Sequence, residues 1–344
     1  MQMSRVFRAF FLLFGVYAGA AAAQAQTSGA EAAWRYENHC SYTEGDCPFI
    51  ISIPHGGALR PEGCVRRTPE NSSPTRFVTQ QDRLTKQIGM AVARLFHQKT
   101  GRRAYVVLTD AHRSIVDVNR IERQGVPFDE NKTSYPAHKE IYDTYHRFME
   151  RARADLLRRF PTGLVIDFHA HTHGTRHPEW LRVEIGYAIE GKDLALPDEA
   201  LNDATAAAGK RPPAHRTTVR NAVKSLSDGR VTDILFGPWS FGELLYDGGK
   251  GLECLPRTAM RYPLRAGEAG NPDSGPEPYF MGGYISQRYG SGYRSLEGLD
   301  SRIDAIQLEF DSRSRQADRF DNTVEQVTRT IIAYLTKFYG FTPK

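Results

Sequence analysis

Cysteine is scarce in this chain, and none of it comes in close pairs. Cys40, Cys47, Cys64 and Cys254 are the whole set, and their spacing excludes a zinc ribbon, which needs paired ligands close together. No internal repeat is visible, and the body of the chain has no apolar run long enough to cross a bilayer. A dominant charge is missing too: 45 Lys and Arg against 40 Asp and Glu leave a formal net charge of +5. That excess is too small to point to a nucleic-acid partner. What is present is an ordinary globular composition, 40% hydrophobic over 344 residues, enough to bury a core in one large domain or two small ones.

The N-terminus differs from the rest. Arg5 and Arg8 precede an apolar run from Ala9 to Ala23, and the small-residue signal Ala23-Gln24-Ala25 follows. This is the layout of a secretory signal peptide over residues 1–25, cleaved before Gln26. The alternative is a retained membrane anchor, for which the run is short. The expected location is extracytoplasmic, periplasmic or secreted, with no membrane attachment after cleavage. Residues 26–35 are small and polar and read as a disordered lead-in. Residues 36–344 then form a single catalytic domain, with a loop-rich elaboration at about 174–300. An exported chain permits disulfides. The expected bridges are Cys40 with Cys47, closed over a short loop, and Cys64 with Cys254.

Hydrophobic periodicity sets out the elements. Ile51-Ser52-Ile53-Pro54-His55-Gly56-Gly57 is a run of strand formers ending in histidine and a glycine turn that lets something approach the backbone. Leu84, Ile88, Val92 and Leu95 fall near one face of a helix over 81–100, stopped by Gly101. A strand follows at Tyr105 to Leu108. A second amphipathic helix covers 135–159, and a strand runs from Leu164 to Phe168 into His169. Beyond it a strand at 183–189 and short helices at 202–208, 216–226 and 240–246 are expected. A strand at 305–310 carries Glu309, and a closing helix spans 320–338. Strand–helix alternation favours an α/β domain with a substantially parallel sheet.

Several strands end in residues suited to metal or proton chemistry, and in such sheets ligands bind beyond the carboxyl ends of the strands. A catalytic zinc site takes three ligands from His, Asp or Glu and leaves one position open. His55 and His169 are the leading candidates, since each closes an apolar strand. Asp82 is the third, and also reads as a helix-start carboxylate near the positive end of the macrodipole. Asp167 can orient a ligand histidine, and His171 and His173 are alternative ligands. Asn119-Arg120 can grip a carboxylate with paired donors, or be a surface arginine beside an Asx turn. Glu309 sits in an apolar strand and needs a partner or a function: a general base, or one half of a buried ion pair.

Taken in order, Pro54-His55-Gly56-Gly57, Asp82, Asp117-Val118-Asn119-Arg120, Asp167-Phe168-His169, Gly282 to Gly290 and Ile306-Gln307-Leu308-Glu309 resemble the N-formylglutamate amidohydrolase family, from about Phe49 to Arg313. That family resembles zinc carboxypeptidases and aspartoacylase-type deacylases. The resemblance implies a three-layer α/β/α sandwich with a mixed, partly parallel sheet, and one zinc ion on His55, Asp82 and His169. It implies Glu309 as catalytic carboxylate and a substrate pocket with Asn119, Arg120, Arg113, Gly283 and Tyr284. The substrate would be a small carboxylate-bearing amide or peptide. Ala170 and Arg288 depart from the family's usual serine and histidine. Two rivals stand beside this reading: a secreted binding module on the same fold, and a metal-dependent hydrolase barrel opening on Asp167-Phe168-His169-Ala170-His171. The acyl group and the oligomeric state are left open.

Overall fold

The expected strands lie edge to edge in one open, eight-stranded sheet of order β1-β2-β4-β3-β5-β8-β6-β7. The computed structural model describes residues 33–72, 77–172, 182–203, 212–261, 279–296 and 298–344. Among the described residues the strands are β1 (Trp34–Glu37), β2 (Cys40–Thr43), β3 (Phe49–Ile53), β4 (Tyr105–Thr109), β5 (Gly163–Ala170), β6 (Val183–Gly186), β7 (Cys254–Leu255) and β8 (Ile303–Phe310). The central pairs β4–β3, β3–β5 and β5–β8 are parallel, as strand–helix alternation predicts. The β2–β4 and β6–β8 pairs are antiparallel, so the sheet is mixed. Its ends, β1 and β7, do not pair with each other. This overturns the barrel alternative, which requires closure.

Alternation along the central strands divides two cores. Phe49, Ile51, Ile53, Leu164, Ile166, Phe168, Ile306, Leu308 and Phe310 face one side. There they meet Ile88, Val92 and Phe96 of the helix Thr85–Thr100 and Val327, Ile331 and Leu335 of the helix Phe320–Phe338. On the other side Ile50, Val165 and Ala305 pack with Ile141, Tyr145, Phe148 and Leu156 of the helix Pro136–Arg159. The result is the three-layer α/β/α arrangement. This second face changes character along its length. Its C-terminal positions are Ser52, Asp167, His169, Gln307 and Glu309, all buried, so polar groups gather where the parallel strands end.

Some boundaries differ from the sequence reading. The lead-in does not extend to residue 35, because Trp34 and Arg35 already pair with Thr43 and Tyr42. The first long helix starts at Thr85, not 81: Leu84 adopts a left-handed φ of 70°, which keeps Asp82 in the preceding turn. The strand expected at 183–189 stops at Gly186, where Met281–Gly282 backbone presses on the glycine. A helix covers Asp198–Asn202, and most of the helix expected at 202–208 lies outside the described residues. The helix expected at 216–226 splits into Pro213–Arg216 and Arg220–Lys224, since Thr218 instead bonds the backbone of Tyr187 and Ala305. The signal peptide and His173 also lie outside the described residues. Among the described residues no helix is long and apolar enough to cross a membrane.

The disulfide expectation is overturned: all four cysteines are free thiols. Cys40 packs in the core on one side of the sheet and Cys47 in the core on the other. Cys64 and Cys254 are divided in the same way. Each expected pair is thus separated by the sheet itself, and a disulfide needs its Cα atoms within about 7 Å and its side chains facing each other. The buried thiols donate to backbone carbonyls instead, Cys40 to Ile141 and Cys254 to Gly242. Burial pushes the Cys40 thiol up to about 12, which keeps it protonated and unreactive.

One buried carboxylate pins β8. Asp304 Oδ1 accepts from Asn221 N, Asn221 Nδ2 and Ser291 Oγ, and Oδ2 from Ala222 N and Tyr339 Oη. Replacing it with alanine orphans five buried or half-buried donors. Asp304→Ala is expected to cost at least about 3 kcal/mol, because each unsatisfied buried donor carries a desolvation penalty of about 1–3 kcal/mol. The urea unfolding midpoint measures this; a loss under about 1 kcal/mol would refute the pinning role.

Candidate functional site

His55 follows β3 directly and ends in the turn that Gly56 and Gly57 make. A Cβ at Gly56 would press on Lys86, and one at Gly57 would overlap the backbone of Asp110. The close approach expected from the glycine pair is therefore made by this chain's own segments. The His55 carbonyl accepts from the Asp82 N–H at 3.1 Å, and this bond holds the Asp82 turn against the end of β3. His169 arrives on β5. The three side chains His55, Asp82 and His169 meet, with one potential ligand atom from each lying within 4.8 Å of the others. The rings of His55 and His169 cross edge-on, 4.8 Å between centroids.

Each ring nitrogen has a distinct task. His55 Nε2 lies 2.7 Å from Asp117 Oδ1, and His169 Nε2 lies 2.8 Å from Asp167 Oδ2. The Nδ1 atoms turn inward to the same Asp82 oxygen, at 3.4 Å from His55 and 2.9 Å from His169. Among the described residues the buried His55 Nδ1 has no hydrogen-bond partner. Two imidazoles backed by carboxylates and facing a third carboxylate are the donor set of a divalent metal site. The fit is dimensional as well. Ligands about 2.1 Å from a tetrahedral ion stand about 3.4 Å apart; the His55–Asp82 spacing matches this, and the His169–Asp82 spacing is that of a direct hydrogen bond.

The electrostatics agree. Burial works against charge on Asp82, yet His169 and His55 hold its carboxyl far below the usual range. Burial likewise opposes a charged His169, but Asp167 and Asp82 keep it well above the usual imidazole value. Without an ion, the proton on this ring supplies the positive charge that the acids require. Asp117 is buried and also held far below its usual range: burial opposes its charge, and Arg113 and His55 favour it. Arg113 Nε donates to its Oδ2 at 2.9 Å, with Arg67 and Arg120 nitrogens at 3.7 and 3.9 Å. Asp167 is fixed by Ser52, whose hydroxyl is 2.6 Å from Asp167 Oδ1 and 2.7 Å from the Tyr145 hydroxyl.

A cavity of about 650 Å³ opens over the triad. Asp82, Arg113, Asn119, Arg120, His169, Gly283 and Glu309 all line it, so the structure brings these predicted residues together. Glu309 stands opposite His169 in the β5–β8 register. Burial, the leading cause, pushes its carboxyl up to about 8, with nearby Asp82 and Glu184 adding to the effect and His169 opposing it. Arg83 and Arg315 add positive charge to the wall, although Arg315 donates to the carbonyls of Asp311, Arg83 and His171. The basic lining favours an anionic ligand.

Other expected residues sit elsewhere or work differently. Asn119 Oδ1 accepts from the Ile285 N–H at 2.8 Å, and its Nδ2 lies 3.2 Å from His169 Nε2. Its amide oxygen therefore braces the wall, while its NH₂ stands beside a ring nitrogen whose proton already goes to Asp167. Tyr284 does not line the triad cavity; it lines a separate pocket of about 360 Å³ with Tyr142, His146 and Arg288. The helix beginning there carries its ring away, and Arg288 bonds its hydroxyl. His171 lines the cavity but turns Nε2 to the Arg182 carbonyl at 2.9 Å, and it is not part of the ligand triad. Asp311 caps the turn after β8 through Arg313 and Ser314 N–H groups. The sequence reading missed Asp117, Gln307 and Glu184. Only the acid in Asp117-Val118-Asn119-Arg120 carried a signal, as a carboxylate among apolar neighbours.

No protein-family model matches the chain, and no curated protein matches it. Solved structures do. The chain is similar to an N-formylglutamate amidohydrolase from Ralstonia eutropha JMP134, with 13% identity over 86% of this chain and 98% of that one and a TM-score of 0.46. It is also similar to a gene product of Agrobacterium tumefaciens, with 12% identity over 88% and 92% and a TM-score of 0.41. A succinylglutamate desuccinylase from Chromobacterium violaceum gives 12% identity over 84% and 63%, with a TM-score of 0.32.

The backing carboxylates make a direct prediction. Asp117→Asn should retain the fold yet weaken metal binding by about 10–100-fold, the usual cost of losing a partner behind a ligand histidine. Titration against a chromophoric chelator reads this; unchanged affinity would remove Asp117 from the site.

Proposed function

We propose that the protein is an exported, zinc-dependent amidohydrolase that cleaves an amide bond next to a free carboxylate. Its substrate is an N-acyl amino acid such as N-formylglutamate, or a C-terminal peptide bond. The observation that carries the reading is the convergence of His55, Asp82 and His169 beneath a cavity that Glu309 and Arg120 also line. Two imidazoles and one carboxylate suit zinc and leave room for a further ligand. The chemistry such an ion supplies is Lewis-acid polarisation of a carbonyl.

The chain's own residues do the rest. Arg120, with Arg113 beside it, binds the substrate carboxylate and so fixes which amide lies over the triad. Arg113 is anchored to Asp117 through Nε, and its positive charge near Asp82 and Glu309 opposes the build-up of negative charge there. Glu309 takes a proton from the attacking water and passes it to the leaving amine. Burial holds the Glu309 carboxyl at about 8 even with His169 beside it, and a cation held by the triad would lower that value and favour the ionised base. Export rests on the N-terminal sequence, and detection of a mature chain lacking residues 1–25 outside the cytoplasm checks it.

Two measurements test the roles. Glu309→Gln should keep the metal and the substrate affinity but lower kcat by about 10²–10⁴-fold, the range of general acid–base groups. Near-normal turnover would exclude Glu309 as the base. Arg120→Ala should raise KM at least about tenfold for a carboxylate substrate and much less for the matching carboxamide, since a charge-assisted hydrogen bond contributes about 1.5–3 kcal/mol. Equal losses for both substrates would refute carboxylate recognition by Arg120.

A further inference from the structure

Gln307 precedes Glu309 by two positions on β8 and shares its face of the sheet. It is buried, and its two hydrogen bonds determine each other. The Gly283 N–H can only donate, and it lies 2.6 Å from Gln307 Oε1. The carbonyl end of the amide is therefore committed to Gly283. The NH₂ end must face the other way, where Nε2 donates to Glu309 Oε1 at 2.8 Å. The orientation of this amide follows from its neighbours.

Gly283 ends the wall segment 279–283 that lines the cavity. The same segment is held through Phe280 N–H to Glu184 Oε2, Tyr279 Oη to the Ile185 carbonyl and Ala188 N–H to the Met281 carbonyl. A side chain at Gly283 would overlap the Asn119 amide, so the wall has little room to shift at that point. One side chain thus connects a wall of fixed position to the carboxylate assigned as the base.

We propose that Gln307 is a positioning residue. It commits one oxygen of Glu309 and leaves the other to the cavity, and it ties that orientation to the seat of the wall at Gly283. A buried carboxylate on an otherwise apolar strand has several rotamers within reach, and a general base must lie within about 3 Å of its proton. The donor from Gln307 selects the useful one. This rests on the proposed role of Glu309.

The test uses the mature protein and four variants: Gln307→Met, Gln307→Glu, Glu309→Gln and the double variant Gln307→Met/Glu309→Gln. Gln307→Met keeps the volume and removes both hydrogen bonds. Gln307→Glu keeps an acceptor for Gly283 and replaces the amide donor. Both are expected to lower kcat by about 10–100-fold, with KM changed by less than about threefold and metal content unchanged, as for an interaction expressed in the transition state. In the Glu309→Gln background, Gln307→Met should cost less than about threefold more, because residues acting as a unit are not additive. The same loss in both backgrounds, or wild-type kcat in Gln307→Glu, would overturn the proposal and leave Gln307 as an anchor of the wall. If Gln307→Met fails to fold, Gln307→Glu carries the test alone. Normal turnover in Glu309→Gln removes the base and this inference together; a crippled Glu309→Gln beside normal Gln307 variants removes the inference only. A wild-type protein inactive on every N-acyl amino acid and peptide tried removes both readings.

Discussion

Asp82 between two imidazoles is the arrangement on which the rest depends. Its carboxylate faces His55 Nδ1 and His169 Nδ1, while the far nitrogen of each ring is held by a carboxylate of its own. Three buried acids around two imidazoles are costly unless positive charge and hydrogen bonds compensate them. The surroundings supply both. Asp117 is ringed by Arg113, Arg67 and Arg120, and Asp167 is tied to Ser52. The inward atoms form a cluster that could hold a cation, and among the described residues His55 Nδ1 has no hydrogen-bond partner.

The sheet explains why these groups can meet. β3, β5 and β8 run parallel and end at one edge, so their last residues share a small volume. One face of those strands stays apolar to the end and packs on helices, and the other turns polar over its last few positions. Pairing of His169 with Glu309 in the β5–β8 register places a histidine of the triad and the cavity carboxylate side by side. A one-residue slip would turn Glu309 into the opposite apolar core. The bonds to Asp304 at the start of β8 oppose that slip.

The cavity wall shows how function and structure share atoms. Asn119 braces Ile285 and borders the cavity, and Gln307 braces Gly283 and Glu309. Arg113 is buried against Asp117 and still borders the cavity. Polar side chains here do two tasks at once because a buried amide or guanidinium must satisfy all its donors and acceptors somewhere.

Much of this was legible in the chain itself. Period-two apolar runs ending in His55, His169 and Glu309, separated by helical periods, carried the parallel centre of the sheet, its two packed faces and three of the polar residues gathered at its carboxyl edge. Local chemistry determined those features, because alternation and helix periodicity are written within a few residues. Asp82 was legible only as one of two readings; the bond from its N–H to the His55 carbonyl sets its carboxylate beside the two histidines. The thiols went the other way. Cys40 and Cys47 are near in sequence, but which side of the sheet each faces depends on strand packing. Asp117, Gln307 and Glu184 gained their roles, and Tyr284 lost its expected one, through contacts between residues far apart in the chain. The sequence by itself determined which strands and helices form and which chemical groups stand at their ends. Tertiary structure alone decided which of those groups face one another, because a hydrogen bond or a metal site depends on distances of about 3 Å between segments whose separation no local pattern encodes.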